Sequence, residues 1–222
     1  MARKKPEWPE ENASTVSKYA NRFDHEGALG TLDMIRDELF GDSETMEALA
    51  RQWGSDNTMT DSGLEIQRSS NELAGYWQGG GYDAYTKHEF AVRGLFGNNE
   101  TQMNGISDVM LDCVELIYGT YADALRFISS CAHDLVSFSL ADLIPGAGTV
   151  VKIIQVLNDF VKNVSDLVAA AIEKMGTLMV KKGKLTTFAN DFSGLGTDSG
   201  GPLAPPGAAG NPDAWNVKPI EA

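Results

Sequence analysis

The clearest regularity in the chain is a row of apolar residues spaced three or four positions apart. The row consists of Ile106, Met110, Cys113, Ile117, Tyr121, Leu125, Ile128, Ala132 and Leu135. This spacing places side chains on one face of an α-helix. Other apolar residues beside the row widen it, so we expect this helix to be covered on more than one side. It extends back towards Tyr82, with Gly97-Asn98-Asn99 as a candidate interruption.

A weaker row of the same kind begins after Asp42 and Ser43, which can cap a helix. Its members, at spacings compatible with one helical face, are Met46, Leu49, Trp53, Met59, Ile66, Leu73 and Trp77. Gly54 and Gly63 weaken this helix because glycine has low helix propensity. The pattern therefore predicts either one long helix or two helices with a kink or short break near residues 54–58.

A third apolar segment follows the sequence Leu143-Ile144-Pro145-Gly146-Ala147-Gly148, which predicts a reversal. From Thr149 to Met175 the segment is apolar nearly halfway round, and lysines follow where cations favour the helix dipole. We expect this long C-terminal helix to pair antiparallel with the helix before Pro145.

The two ends of the chain have weaker patterns. Residues 1–30 look weakly structured, and a short helix is expected from Thr31 to Leu39. Residues 189–222 are rich in glycine and proline without a period, which predicts a disordered tail. No β-type alternation of useful length occurs. The sequence thus predicts an all-α protein with an N-terminal segment (1–41), a helical bundle (42–188) and the tail (189–222).

Composition and charge exclude several function classes. The net charge of −13 argues against binding to nucleic acid, whose phosphates would be repelled. Cys113 and Cys131 lie 18 residues apart on one predicted helix, too far to bond to each other, so we expect buried thiols. The N-terminus shows no apolar region typical of a cleavable signal peptide. No uncharged run reaches the length of a membrane-spanning helix.

The residues also offer little for catalysis. His25, His88 and His133 are isolated, without cysteines or carboxylates at the spacing of metal ligands. The run Gly79–Gly81 lacks the lysine and the preceding strand of a phosphate loop. We therefore expect no catalytic, cofactor-binding or metal-binding residues, and no enzymatic activity.

Three consecutive glycines interrupt the helical pattern at Tyr76-Trp77-Gln78-Gly79-Gly80-Gly81-Tyr82-Asp83-Ala84-Tyr85. Each glycine disfavours helix by about 1 kcal/mol relative to alanine, so the chain is expected to turn here. Trp77 gives the turn a large apolar side chain. Two interpretations are open: the tip of a helical hairpin that docks against another surface, or a loop with an isolated tryptophan.

Trp77-Gln78-Gly79 between two long helices resembles the WXG motif of bacterial type VII (ESX) secretion substrates. The similarity covers roughly residues 42–135, and the small and aromatic residues from Gly80 to Tyr85 also resemble the family. It implies an elongated antiparallel helical bundle built on a WXG-type hairpin, with Trp77 and Gly79 at its turn. It further implies export without a cleaved leader and no enzymatic activity. The long C-terminal helix makes the chain similar to the multi-helix members.

The family also carries an export signal in which a tyrosine is followed four residues later by an acid. Only Tyr85 and Glu89 fit, and this spacing places both on one helical face. The family signal normally follows the hairpin, whereas this pair begins its second helix. Two alternatives are open: the spacing of Tyr85 and Glu89 is a coincidence of two residues on one helix face, or a partner protein supplies the export signal.

The resemblance implies a secreted or cell-surface protein that acts through protein–protein contacts. Its partners would be another WXG-type protein or a second copy of itself, together with the type VII machinery. Whether it would act as an effector or escort a toxin stays open. One alternative is a membrane-active or pore-forming protein, or a toxin-type module, that inserts residues 135–175. Lys152, Asp159, Lys162 and Asp166 oppose simple spanning. Another alternative is a cytosolic helical adaptor.

Overall fold

The computed structural model describes residues 4–138, 147–181 and 207–218. Its α-helices are α1 (Glu10–Arg22), α2 (Glu26–Asp37), α3 (Ser43–Gly54), α4 (Thr58–Leu73), α5 (Gly80–Val136) and α6 (Ala147–Lys181). Two short strands, β1 (Trp77–Gln78) and β2 (Asn216–Val217), pair antiparallel, and a 3₁₀ helix spans Pro212–Ala214. The predicted all-α character is confirmed.

The N-terminal part of the chain is more ordered than the sequence predicted. The expectation of weak structure over residues 1–30 is wrong for α1, which buries Ala13, Val16, Tyr19 and Ala20 on one face. Two glutamates in its first turn stabilise the helix, because their negative charges lie at the positive end of the helix dipole. The apolar face is made mainly of small residues, which is why the pattern was weak.

The helix between Asp42 and Trp77 is divided. α3 ends at Gly54 and α4 begins at Thr58, as the prediction of a short break near these residues allowed. Asp56 supports the new start, because its carboxylate accepts the backbone N–H of Thr58 (2.9 Å) and the Thr58 hydroxyl. These hydrogen bonds lower the pKa of Asp56. By contrast, α5 continues through Gly97-Asn98-Asn99 without interruption.

The chain divides into two compact units. The first unit combines Met1–Ala48 with Val109–Lys181, and the second combines Leu49–Asp108 with Lys182–Ala222. The predicted boundary at residue 42 falls inside the first unit. α5 contributes its N-terminal part to the second unit and its C-terminal part to the first.

The first unit has a core formed by α1, α2, the C-terminal part of α5, and α6. Residues of the predicted α5 row lie in it, including Tyr121, Ile128 and Leu135, and α6 adds Ile153 and Leu157. The Phe40 ring packs edge-on against Tyr118 and Tyr121, with centroids 4.9 and 5.1 Å apart. The ammonium group of Lys5 lies 4.6 Å from the Phe40 ring centroid, within the range of a cation–π contact.

Two hydrogen bonds orient α1 against the end of α5. The Asn12 amide donates to the Ser129 hydroxyl (3.1 Å), and the Tyr19 hydroxyl donates to the Phe138 carbonyl (3.1 Å). Residue numbers increase in the same direction along the two helices, from the pair 12 and 129 to the pair 19 and 138, so α1 runs parallel to the end of α5. The predicted turn at Pro145 lies outside the described residues.

Both cysteines of α5 are buried thiols, as predicted. Burial, with the nearby charge of Asp134, raises the pKa of Cys131 to about 12.

In the second unit, the C-terminal part of α3 and all of α4 lie beside the first part of α5. The Ser107 hydroxyl donates to the Ala50 carbonyl (2.6 Å), and Thr60 hydrogen-bonds to Glu100. A Cβ atom on Gly63 would lie 3.9 Å from the side chain of Phe96. Residue numbers on α5 decrease from 107 to 96 as those on α3 and α4 increase from 50 to 63, so α5 runs antiparallel to α3 and α4. We call α3 with α4, and the facing part of α5, the two sides of this unit. The two sides are joined at residues 74–79.

Candidate functional site

The reversal between α4 and α5 is compact. After α4 ends at Leu73, the Tyr76 N–H donates to the Leu73 carbonyl (3.0 Å), and the next two residues are extended as β1. Gly79 has a φ of +95°, a conformation that residues with a Cβ rarely adopt. α5 starts at the next residue, and the Asp83 N–H returns to the Gly79 carbonyl (3.0 Å). Gly79 is therefore required by the backbone of the turn.

Residues 207–218, here named the C-terminal segment, lie directly on this turn. The Asn211 side chain accepts the Asp213 N–H (3.1 Å) and caps the 3₁₀ helix. The following strand pairs with β1 in the register Trp77↔Val217 and Gln78↔Asn216. The Lys218 N–H donates to the Tyr76 carbonyl (2.8 Å), and the Lys218 ammonium group donates to the Ala74 carbonyl.

Trp215 lies at the centre of an aromatic cluster that the turn and the segment form together. Its ring centroid is 5.7 Å from that of Trp77, with the planes at 90°. Tyr82 and Tyr85 approach the same indole, with centroids at 6.3 and 5.9 Å. Such aromatic pairs contribute about 0.5–1.5 kcal/mol each beyond the burial of area. The indole N–H is satisfied within the segment, since it donates to the Ala209 carbonyl (3.0 Å).

The three consecutive glycines have different surroundings. A Cβ on Gly81 would lie 2.7 Å from Trp215 Cδ1 and 2.9 Å from the Ala214 carbonyl oxygen. A Cβ on Gly79 would lie 2.6 Å from the Asn216 side-chain nitrogen. A Cβ on Gly80 would have no heavy atom within 4 Å. Gly79 and Gly81 thus leave the space that the C-terminal segment fills, whereas Gly80 does not.

The structure places the four predicted site residues at or near this cluster. Trp77 and Gly79 form the turn, and Tyr85 contacts Trp215 from the first turns of α5. Glu89 is buried, with only 7% of its side chain exposed, and pairs with Arg93. Burial, followed by the negative charge of Glu89, raises the pKa of Tyr85. Tyr85 and Glu89 therefore do not present an open common surface in this arrangement, and their role in export stays a prediction.

The C-terminal segment is the part of the site that sequence reasoning missed. The predicted disorder of residues 189–222 differs from the structure over residues 207–218; the rest of that range lies outside the described residues. The glycine- and proline-rich composition concealed two local signals. Asn211-Pro212-Asp213 is typical of a capped turn, and Trp215 is a large apolar residue in a polar stretch.

The histidine environments are structural or exposed where the structure gives their contacts. His25 caps α2: its Nδ1 accepts the Ala28 N–H (3.1 Å), and its Nε2 lies 3.1 Å from the Asn158 side-chain oxygen. His133 is largely exposed beside Asp134. Among the described residues, no group of three or more histidines, cysteines or carboxylates is arranged to hold a metal ion. Within the same residues, no helix is both long and apolar enough to cross a membrane.

Comparison with known proteins adds no further identification. No family model, curated protein or solved structure matches the chain significantly.

Proposed function

We propose that this protein is a non-enzymatic substrate or helical partner of a bacterial type VII secretion system. It acts by binding another helical protein or a second copy of itself. The observation that carries the proposal is the position of Trp77-Gln78-Gly79. The tripeptide forms the reversal between two antiparallel helical sides, and Gly79 adopts the positive φ that only glycine takes readily.

The surface around the turn supports a role in protein–protein contacts. Tyr76 and Val217 expose 69% and 67% of their area although each is large and apolar. Val217 lies in the β1–β2 ladder opposite Trp77, and Tyr76 directly precedes β1. Exposed large apolar side chains that lie together at a turn are typical of protein-binding surfaces.

An export assay with a matched tryptophan control tests the proposal. The wild-type chain, W77A and W53A are expressed in a host with an active type VII system and in the same host with that system inactivated. Trp53 is also half-buried but takes no part in the aromatic cluster. Circular dichroism of the purified chains first establishes that all three are equally helical.

We expect wild type and W53A in the culture medium of the active host, W77A retained in the cells, and all three retained in the inactivated host. Equal export of W77A would remove the turn from the proposal. Export from the inactivated host would remove the type VII assignment itself.

The candidate export pair is tested in the same assay. Y85F keeps the ring that packs on Trp215 but removes its hydroxyl, whereas E89Q removes the charge that pairs with Arg93. If the pair is the signal, E89Q lowers export while helix content is retained. Export of E89Q at the wild-type level would assign the signal to another residue or to a partner protein.

A further inference from the structure

We propose that the turn is a receptor for an extended, tryptophan-bearing peptide, and that the C-terminal segment is its tethered ligand. In the free chain this ligand covers the turn, and it is displaced when another peptide of the same kind binds. The inference concerns peptide binding by the turn and does not depend on the route of export.

The contacts of the segment have the form of peptide recognition by strand addition. β2 adds to β1 through backbone pairing, and the Lys218 N–H extends that pairing to the Tyr76 carbonyl. In this mode, backbone hydrogen bonds supply affinity and a side-chain pocket supplies specificity. The pocket here is the surface of Trp77, Tyr82 and Tyr85 that receives the Trp215 indole.

The glycines define which peptides fit. Because the indole and the Ala214 carbonyl lie where a Gly81 Cβ would be, the ligand must place a flat ring and a backbone carbonyl against α5. The next ligand residue must fit against Gly79, where Asn216 places its side-chain amide. The preferred ligand is therefore an extended peptide with tryptophan followed by a small polar residue.

The segment is held in a way that permits exchange. Its ladder is only two residues long, and a two-stranded ribbon of that size has little stability of its own. Asn216, Val217 and Lys218 are exposed, and Trp215 is only half-buried. A ligand bound this loosely is retained chiefly because it belongs to the same chain, which makes its rebinding intramolecular.

Occupancy by the segment excludes other uses of the turn. It covers Gly79, Gly81 and part of Tyr85. A partner that recognises Trp77 and Gly79 must therefore compete with Trp215, so binding at the turn and docking of the segment are mutually exclusive.

Peptide titration of the full chain tests this inference. A fluorescein-labelled peptide with the sequence of residues 207–218 is titrated by anisotropy with wild type, W215A, W53A and the double variant W77A/W215A. The W215A chain frees the receptor, W53A controls for loss of a tryptophan elsewhere, and the double variant removes the indole that meets Trp215 edge-on. Suppose that the free peptide binds with a dissociation constant of about 0.1 mM and that the tethered segment has an effective concentration of about 1 mM. Competition by the segment then weakens the apparent binding of the free peptide to wild type by roughly tenfold.

We expect W215A to bind the peptide about tenfold more tightly than wild type and W53A do. The double variant, and a peptide that carries alanine in place of Trp215, should bind at least tenfold more weakly than the W215A–native peptide pair. Failure of the native peptide to bind W215A, or equal binding to W215A and wild type, would overturn the inference.

If W215A loses helix content, K218P provides the comparison, because it removes the N–H that the Tyr76 carbonyl accepts. K218P should likewise bind the peptide more tightly than wild type, and equal binding would refute the inference.

Discussion

Replacing Gly81 by alanine should release the C-terminal segment without weakening the helices. The new Cβ would lie 2.7 and 2.8 Å from Trp215 Cδ1 and Nε1 and 2.9 Å from the Ala214 oxygen. Carbon–carbon contacts are optimal near 3.5–4.0 Å, so Trp215 Cδ1 must retreat by about 0.8–1.3 Å. A side chain alone cannot relieve this overlap, because the Ala214 oxygen belongs to the backbone.

The magnitude follows from what such a retreat removes. Three aromatic contacts of Trp215, at about 0.5–1.5 kcal/mol each, give a gross contribution of about 1.5–4.5 kcal/mol. Ordering of the segment already offsets part of this gain. We therefore expect G81A to weaken docking by at least about tenfold, or about 1.4 kcal/mol. Alanine meanwhile favours helix by up to about 1 kcal/mol over glycine, so α5 itself is not destabilised.

Gly80 provides the matched control, since it stands next to Gly81 in the first turn of α5 and its Cβ would meet nothing within 4 Å. Hydrogen exchange measured by mass spectrometry follows the amides of Asn216 and Lys218, which face β1. Tryptophan emission follows exposure of the Trp77–Trp215 pair against a constant contribution from Trp8 and Trp53. In G81A, exchange of these amides should accelerate and emission should shift to the red, with the melting temperature of the helices retained or raised. In G80A both signals should match wild type. Protection of the Asn216 and Lys218 amides in G81A equal to that in wild type and G80A would refute the steric argument.

Three further predictions test other parts of the structure. G54A should lower the free energy of unfolding by about 1–3 kcal/mol, because its Cβ would lie 2.7 Å from the buried Ser107 hydroxyl. The double variant G54A/S107A, measured by denaturation, should recover part of this loss. A double variant whose loss equals the sum of the two single losses would contradict the contact. H25A should lower the free energy of unfolding, measured in urea, by about 1 kcal/mol because the α2 cap is lost. H25N can still accept the Ala28 N–H and should lower it by less. Equal losses in the two variants would argue against capping. Because burial raises the folded-state pKa of Cys131 to about 12, its contribution to stability is present below its ordinary pKa near 9 and is lost as pH rises towards 12. Wild type should therefore lose stability over this range relative to C131A, and a difference that does not change with pH would contradict the shift.

Local periodicity was sufficient to predict the long helices. The row from Ile106 to Leu135 predicts a helix there, and most of its members are buried in the first unit because each lies on the same face. It was insufficient for α1, whose buried face consists largely of alanines, valine and one tyrosine. Small residues contribute little to a hydrophobic pattern even when they pack closely.

The candidate site could be predicted only in part. Consecutive glycines after Trp77 indicate a turn, but they do not reveal that Gly79 is required by its φ and Gly81 by the approach of Trp215. The pairing of Gln78 with Asn216 joins residues far apart in the chain. Such a contact leaves no periodic trace, because it depends on where the intervening helices bring the two segments.

The separation of the two halves of the site along the chain also sets the order in which they are made. Trp215 is synthesised 130 residues after Tyr85, as the positions 85 and 215 show. At about 5–20 residues per second, this interval lasts roughly 6–26 s on the ribosome. Closing a loop of this size also carries an entropic cost that local helix formation does not. The turn is therefore synthesised well before the C-terminal segment that covers it, so under the proposal above a competing peptide would meet no tethered ligand during that interval.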